Sequence, residues 1–124
     1  MMEGKVAART FRDLIVWQRS IEMAGAIYRL TRGFPKEEMY GLTSQIRRSA
    51  ISVPSNIAEG QGRLSTGEFR QSLGIARGSN FELQTQLEIA RKLQMGDSKL
   101  IDEAEGLSHE AGKMIHAILE KTAH

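Results

Sequence analysis

A chain of 124 residues with 40% hydrophobic and 26% charged side chains has the length of one domain and the composition of a globular protein. It contains no cysteine, which removes disulfides, thiolate nucleophiles and Cys-ligated metals together and agrees with a reducing compartment. No run is apolar enough to span a bilayer and the first ten residues lack the apolar block of a signal peptide, so a cytoplasmic protein with no membrane partner is expected. The formal net charge is only +2, yet residues 1 to 96 carry 14 basic and 9 acidic side chains and residues 97 to 124 carry 3 and 6. That asymmetry fits one face for an acidic partner, and equally the ordinary unevenness of a soluble surface.

After a polar tail over residues 1–10, the first helix is expected from near Asp13 to about Thr31, stopped by Gly33-Phe34-Pro35. The second is expected from about Met39 to Glu59, closed by Gly60 and Gly62. Ser65-Thr66-Gly67-Glu68 reads as a capping box that starts the third helix at Ser65, and this helix runs to Met95. Gly96 and the N-cap candidate Asp97 then open a fourth helix that ends near Thr122. No segment alternates with period two, so no sheet is expected.

Each helix carries an apolar seam with alternating spacings of three and four. In the third it is Phe69, Leu73, Ala76, Asn80, Leu83, Leu87 and Ala90, where Asn80 is expected to fix register or to pair with another buried polar group. In the first it is Leu14, Trp17, Ile21, Ala24 and Tyr28, in the second Leu42, Ile46, Ser49, Val53 and Ile57, and in the fourth Leu100, Ala104, Leu107, Ala111, Met114 and Ile118. Four such helices with short connections predict an all-α, antiparallel up-down four-helix bundle, a single domain over residues 1–124.

A second set of apolar positions points to self-association. Val16, Met23 and Leu30 lie opposite the first helix's seam, and Ile75, Ile89 and Leu93 lie off the third's. Gly74 and Gly78, one turn apart, suggest a close approach by another helix, because glycine inside a helix costs about 1 kcal/mol relative to alanine. The competing reading is that both stripes of each helix serve one core.

The densest unusual stretch runs from Gln45 to Gly60 around Pro54. Proline inside a helix removes a backbone hydrogen bond and predicts a kink, with the neighbouring serines bonding the freed groups. Arg47, Arg48, Ser52, Ser55, Asn56 and Glu59 then form either a polar site at the kink or a set of caps and subunit contacts. Arg63, Arg70, Arg77 and Arg91 recur at spacings of seven, seven and fourteen, a basic edge beside the third helix's seam. Arginine's planar fork suits phosphate. The alternative is pairing with carboxylates of a neighbouring helix or subunit, Glu59 and Glu82 among them.

Enzyme signatures are missing. His109-Glu110-Ala111-Gly112-Lys113 begins like a zinc-protease helix, but Lys113 stands where the second histidine is required. His116 shares a helix face with His109, which reads as a solvated pair. Gly60-Gln61-Gly62 follows a helix rather than a strand and satisfies no nucleotide-loop motif. The glutamates lack the Glu-x-x-His pairs of a di-iron bundle, and no histidine stands near the conspicuous serines in sequence. No enzyme, cofactor or metal is expected.

The stretch from Phe11 to Met95 resembles the 23S rRNA intervening-sequence proteins. The resemblance is carried by Phe11-Arg12-Asp13-Leu14 with Trp17-Gln18, by Tyr28-Arg29-Leu30-Thr31 with Phe34-Pro35 and Tyr40-Gly41-Leu42, and by Gln45 to Ala50, Ser52 to Gly60 and Ala76-Arg77-Gly78-Ser79. It implies a left-handed four-helix bundle that assembles into a ring, a homopentamer, without established catalytic residues. A distant relative is the accessory protein of diversity-generating retroelements, which looks like a basic pentamer that binds nucleic acid and a reverse transcriptase. The leading expectation is therefore a homo-oligomer that binds RNA or DNA through Arg47, Arg48, Arg63, Arg70 and Arg77. The alternative is a protein-interaction scaffold or accessory subunit whose arginines hold the ring together.

Overall fold

The computed structural model describes residues 10–123; the proposed tail over residues 1–9 lies outside the described residues. Thr10, assigned to that tail, instead caps the first turn. Its hydroxyl accepts from the Arg12 N–H and the Asp13 carboxylate accepts from the Thr10 N–H, a capping box on a 3-10 turn over Phe11–Asp13. Leu14 is extended, and helix α1 runs Ile15–Thr31. A second 3-10 turn, Lys36–Glu38, precedes α2, Leu42–Gln61, at whose start the Glu38 carboxylate accepts from the Leu42 N–H at 3.0 Å. Helix α3 spans Thr66–Lys92 and α4 spans Ser98–Thr122, with no strand among the described residues.

Ser65 and Asp97 are the N-caps of α3 and α4, accepting from the N–H groups of Glu68 and Lys99. The Ser65 box is half made, because the Glu68 carboxylate takes the serine hydroxyl at 3.2 Å. α2 continues without interruption across Pro54 and ends two residues beyond Glu59. Gly60 therefore lies inside the helix. A Cβ there would sit 3.0 Å from Ser72 Cβ and 3.3 Å from the Phe69 carbonyl oxygen, so this glycine lets α2 and α3 approach closely.

Each helix packs on its neighbours in the chain, and α4 closes back on α1; the backbones of the diagonal pairs α1–α3 and α2–α4 stay apart. Contacts between neighbours run in opposite residue order. Ser49 meets Glu82 and Ser52 meets Ser79, Arg70 meets Thr122 and Asn80 meets Ser108, and Arg19 meets Glu110 while Arg29 meets Glu103. Neighbouring helices are thus antiparallel around a four-helix bundle.

The core takes all seven α3 seam positions, Phe69 to Ala90. In α1 it takes the face that sequence reading assigned to a partner. Val16 is 4% exposed and Met23 and Leu30 are fully buried within one chain, while Ile21 is 44% exposed. Val16, Met23 and Leu30 are therefore core residues and not an interface. The real seam is Val16, Ser20, Met23, Ile27 and Leu30, and Ser20 hid it. Its hydroxyl donates to the Val16 carbonyl at 2.7 Å, so a polar side chain is buried with its bond satisfied by its own helix. α4 turns in the same sense, burying Ile101, Ala104, Ser108, Ala111 and Ile115 while Leu100, Leu107 and Met114 sit half-buried at the flanks.

The corner between α3 and α4 requires glycine. Gly96 has φ +76°, and a Cβ there would lie 2.8 Å from Leu30 Cδ1. The corner thereby seats against the end of α1.

Candidate functional site

The arginines expected to bind nucleic acid do not share one surface: Arg47 turns to α1 and Arg48 to the α2–α3 cleft, while Arg70, Arg77 and Arg91 lie along the α4 side of α3. Arg47 reaches back to α1, where its Nε donates to Thr31 Oγ1 at 2.8 Å and its guanidinium lies 4.5 Å from the Tyr28 ring centroid. Arg63 lies 3.6 Å from the Glu59 carboxylate. One guanidinium nitrogen of Arg70 donates to the Leu119 carbonyl and to Thr122 Oγ1, each at 2.6 Å, so this side chain satisfies a carbonyl in the last turn of α4. Arg91 bridges Asp102 at 3.1 Å and Glu105 at 3.0 Å. Its hydrogen bond to Asp102 first, and the nearby Glu105 charge, raise its pKa above the ordinary arginine value.

Arg48 of α2 and Arg77 of α3 are exposed, as is Arg63, and the first two border different clefts. Arg48 borders a polar cleft of about 330 Å³ between α2 and α3, with Ser49, Ser52, Ser79, Glu82 and Gln86 around it. Two rungs cross it: Ser49 donates to Glu82 at 3.2 Å, and the Ser52 and Ser79 hydroxyls lie 2.8 Å apart. Asn56 donates to both the carbonyl and the hydroxyl of Ser52. The serines around Pro54 thus spend their hydroxyls on α3 rather than on backbone groups freed by the proline, and the expected polar kink site is a seam between two helices. Pro54 itself is buried and Ser55 is exposed on the outside.

Arg77 belongs to a different groove, of about 480 Å³, between α3 and α4. Arg77, Phe81 and Gln84 come from α3, and His109, Lys113 and His116 from α4. The Arg77 guanidinium lies 5.4 Å from the Phe81 ring centroid. The floor is a closed network: Asn80 donates to the Ser108 carbonyl at 3.0 Å, Ser108 donates to Asn80 Oδ1 at 2.7 Å, and Gln84 donates to Ser108 Oγ at 2.9 Å. Asn80 has the buried polar partner that its place on the seam called for.

In sequence His109 and His116 look like a solvated pair, and nothing there joins Lys113 to Arg77. The signal was present in the spacing, since positions 109, 113 and 116 share one face of a helix. It was hidden because the pairing of α4 with α3 is a tertiary fact.

The remaining candidates lie on the outer face of α3. Gly74 and Gly78 are exposed, with nothing within 4 Å of where a Cβ would stand. Ile75, Ile89 and Leu93 are 51, 43 and 61% exposed. No group of histidine, aspartate and glutamate among the described residues is placed to hold a metal ion, and no helix among them is long and apolar enough to cross a membrane.

A family model described as 23S rRNA-intervening sequence protein matches residues 12–117. The chain belongs to the 23S rRNA-intervening sequence protein family. A solved structure of a protein of unknown function from the S23 ribosomal protein family of Bacteroides thetaiotaomicron VPI-5482 is similar to it with a TM-score of 0.77 and 24% identity. That match covers 86% of this chain and 99% of the other, and shows that the two share a fold. The comparison with curated proteins gives no match. In this member of the intervening-sequence protein family, the bundle leaves two surface features unexplained by its own stability: the open face of α3 and the basic groove beside it.

Proposed function

We propose that this chain is a non-enzymatic helical bundle that works as a homo-oligomer, its subunits meeting through the outer face of α3. The observation that supports this is the pairing of two exposed, unopposed glycines, Gly74 and Gly78, with exposed Ile75, Ile89 and Leu93 on one helix face. In a single chain those glycines weaken the helix by about 1 kcal/mol each and pack against nothing. Against a second helix they permit close backbone approach, and the flanking apolar side chains leave water. The resemblance to ring-forming relatives favours five copies.

Sedimentation of the purified chain across a range of concentrations tests the reading. The wild type is expected to run as a closed oligomer, and the double substitution Ile89→Asp with Leu93→Asp to run as a helical monomer. A wild-type monomer would sink the proposal.

A second reading, nucleic-acid binding, draws on a different observation. The α3–α4 groove is lined by basic, aromatic and neutral side chains without a carboxylate. The five-arginine surface is not needed for it, since Arg47, Arg63 and Arg70 are engaged within the chain.

A further inference from the structure

We infer that the groove between α3 and α4 binds single-stranded nucleic acid, with Phe81 stacking a base and Arg77, His109, Lys113 and His116 holding the phosphate chain. The inference rests on the second reading above, and because Phe81 adjoins Ile89 and Leu93 on the outer face of α3, it requires that any assembly through that face leave the Phe81 ring open.

The charge arrangement is the first support. α4 is rich in carboxylates, yet none lines the groove, because Asp102 and Glu105, on the same face as His109, stand one to two turns toward the start of the helix. Glu103 and Glu110 pair with Arg29 and Arg19 of α1, while Asp102 and Glu105 pair with Arg91 further along. Glu120, exposed one turn beyond His116, is the nearest remaining acid on α4 in sequence. What α4 presents to the groove is His109, Lys113 and His116, opposite Arg77.

Spacing is the second. His109 to His116 spans about 10 Å at 1.5 Å per residue, with Lys113 between. The cationic and hydrogen-bonding groups run along the groove rather than converge on one point, which suits a chain of phosphates better than a single anion.

The aromatic ring is the third. Phe81 is 51% exposed and carries the Arg77 guanidinium over its ring. An exposed ring beside cations is the platform on which single-stranded bases stack without regard to sequence, and an acidic peptide has no use for it. The floor is already fixed by the Asn80–Ser108–Gln84 network. Gly112 keeps it clear, since a Cβ there would stand 3.1 Å from Asn80 Nδ2. Little ordering therefore remains to be done on binding.

The test is a fluorescence-anisotropy titration of the full chain against a short labelled oligouridylate at low and moderate salt, with light scattering on the same samples. Binding is expected to weaken as salt rises. Arg77→Ala and Lys113→Ala should each weaken it several-fold and each lower the salt slope by about 0.7. Phe81→Ala should weaken it by about tenfold, and Phe81→Trp should retain it. Arg48→Ala, on the α2 side, should leave it unchanged.

The inference is overturned by the absence of salt-sensitive binding, or by an Arg48→Ala loss equal to that of Arg77→Ala. Polyglutamate competing as well as unlabelled oligouridylate would also overturn it, making the groove a site for acidic proteins. A groove variant that loses oligomer mass together with binding would assign the effect to assembly, whereas unchanged mass with lost binding supports the groove.

Discussion

On α3, the face that carries Leu73, Leu83 and Leu87 is fully buried, whereas the face that carries Ile75, Ile89 and Leu93 is between 43 and 61% exposed. Both faces are aliphatic and both include a residue that is poor in a helix interior, Asn80 on one side and Gly78 on the other. The difference lies in what meets them. Asn80 is enclosed by Ser108 and Gln84 in a network where each exchanged bond is satisfied, and Gly78 faces open space. The inner face is complete within one chain, and the outer one is left open to solvent.

Leu83→Ala should have the largest effect on stability, about 2–5 kcal/mol from lost transfer energy and the cavity left behind, read as a lower urea midpoint. The matched change on the other face, Ile89→Ala, should move the stability of the isolated chain by no more than about 0.5 kcal/mol. If the two substitutions cost the same at protein concentrations too low for assembly, the contrast between the faces fails.

Asn80→Ala comes next, at about 1–3 kcal/mol, because it strands the buried Ser108 hydroxyl. Replacing both partners, Asn80→Leu with Ser108→Ala, should recover most of that loss in the same denaturation experiment. An additive double variant would show that the pair is not one unit.

Gly78→Ala should raise the thermal stability of the monomer by up to about 1 kcal/mol through helix propensity while weakening self-association in sedimentation. A gain in both would mean that no helix approaches there. The smallest effect belongs to Arg91→Ala, whose partners Asp102 and Glu105 lie at the surface. It should lower the midpoint slightly in dilute salt, with the difference fading as salt is added.

The helix count and the starts of α3 and α4 were legible because they depend on local chemistry, whereas α1 and α2 begin at Ile15 and Leu42, after 3-10 turns and later than expected. Ser65 and Asp97 cap through their own next few N–H groups, and Gly62 and Gly96 mark real corners whereas Gly60 lies inside α2. The α3 seam was legible because its apolar residues dominate every turn. The α1 seam was not, since Ser20 sits on it with a hydroxyl bonded to Val16 inside the helix, so polarity pointed outward where packing pointed inward. The candidate site suffered from a related difficulty. Whether an arginine is free depends on which carbonyl or carboxylate another helix brings to it, and Arg70, committed to the end of α4, gave no sign of that in its own neighbourhood of the chain.

The ring of contacts around the bundle, each helix touching the one before and the one after, also bears on how the chain reaches this state. The pairs α1–α2, α2–α3 and α3–α4 are hairpins that form across short connections and lose little loop entropy. The α1–α4 seam alone joins distant parts of the sequence, tied at its surface by Arg19 to Glu110 and Arg29 to Glu103. A chain so arranged can assemble outward from its middle, with the meeting of its first and last helices as the one closure that spans the whole sequence.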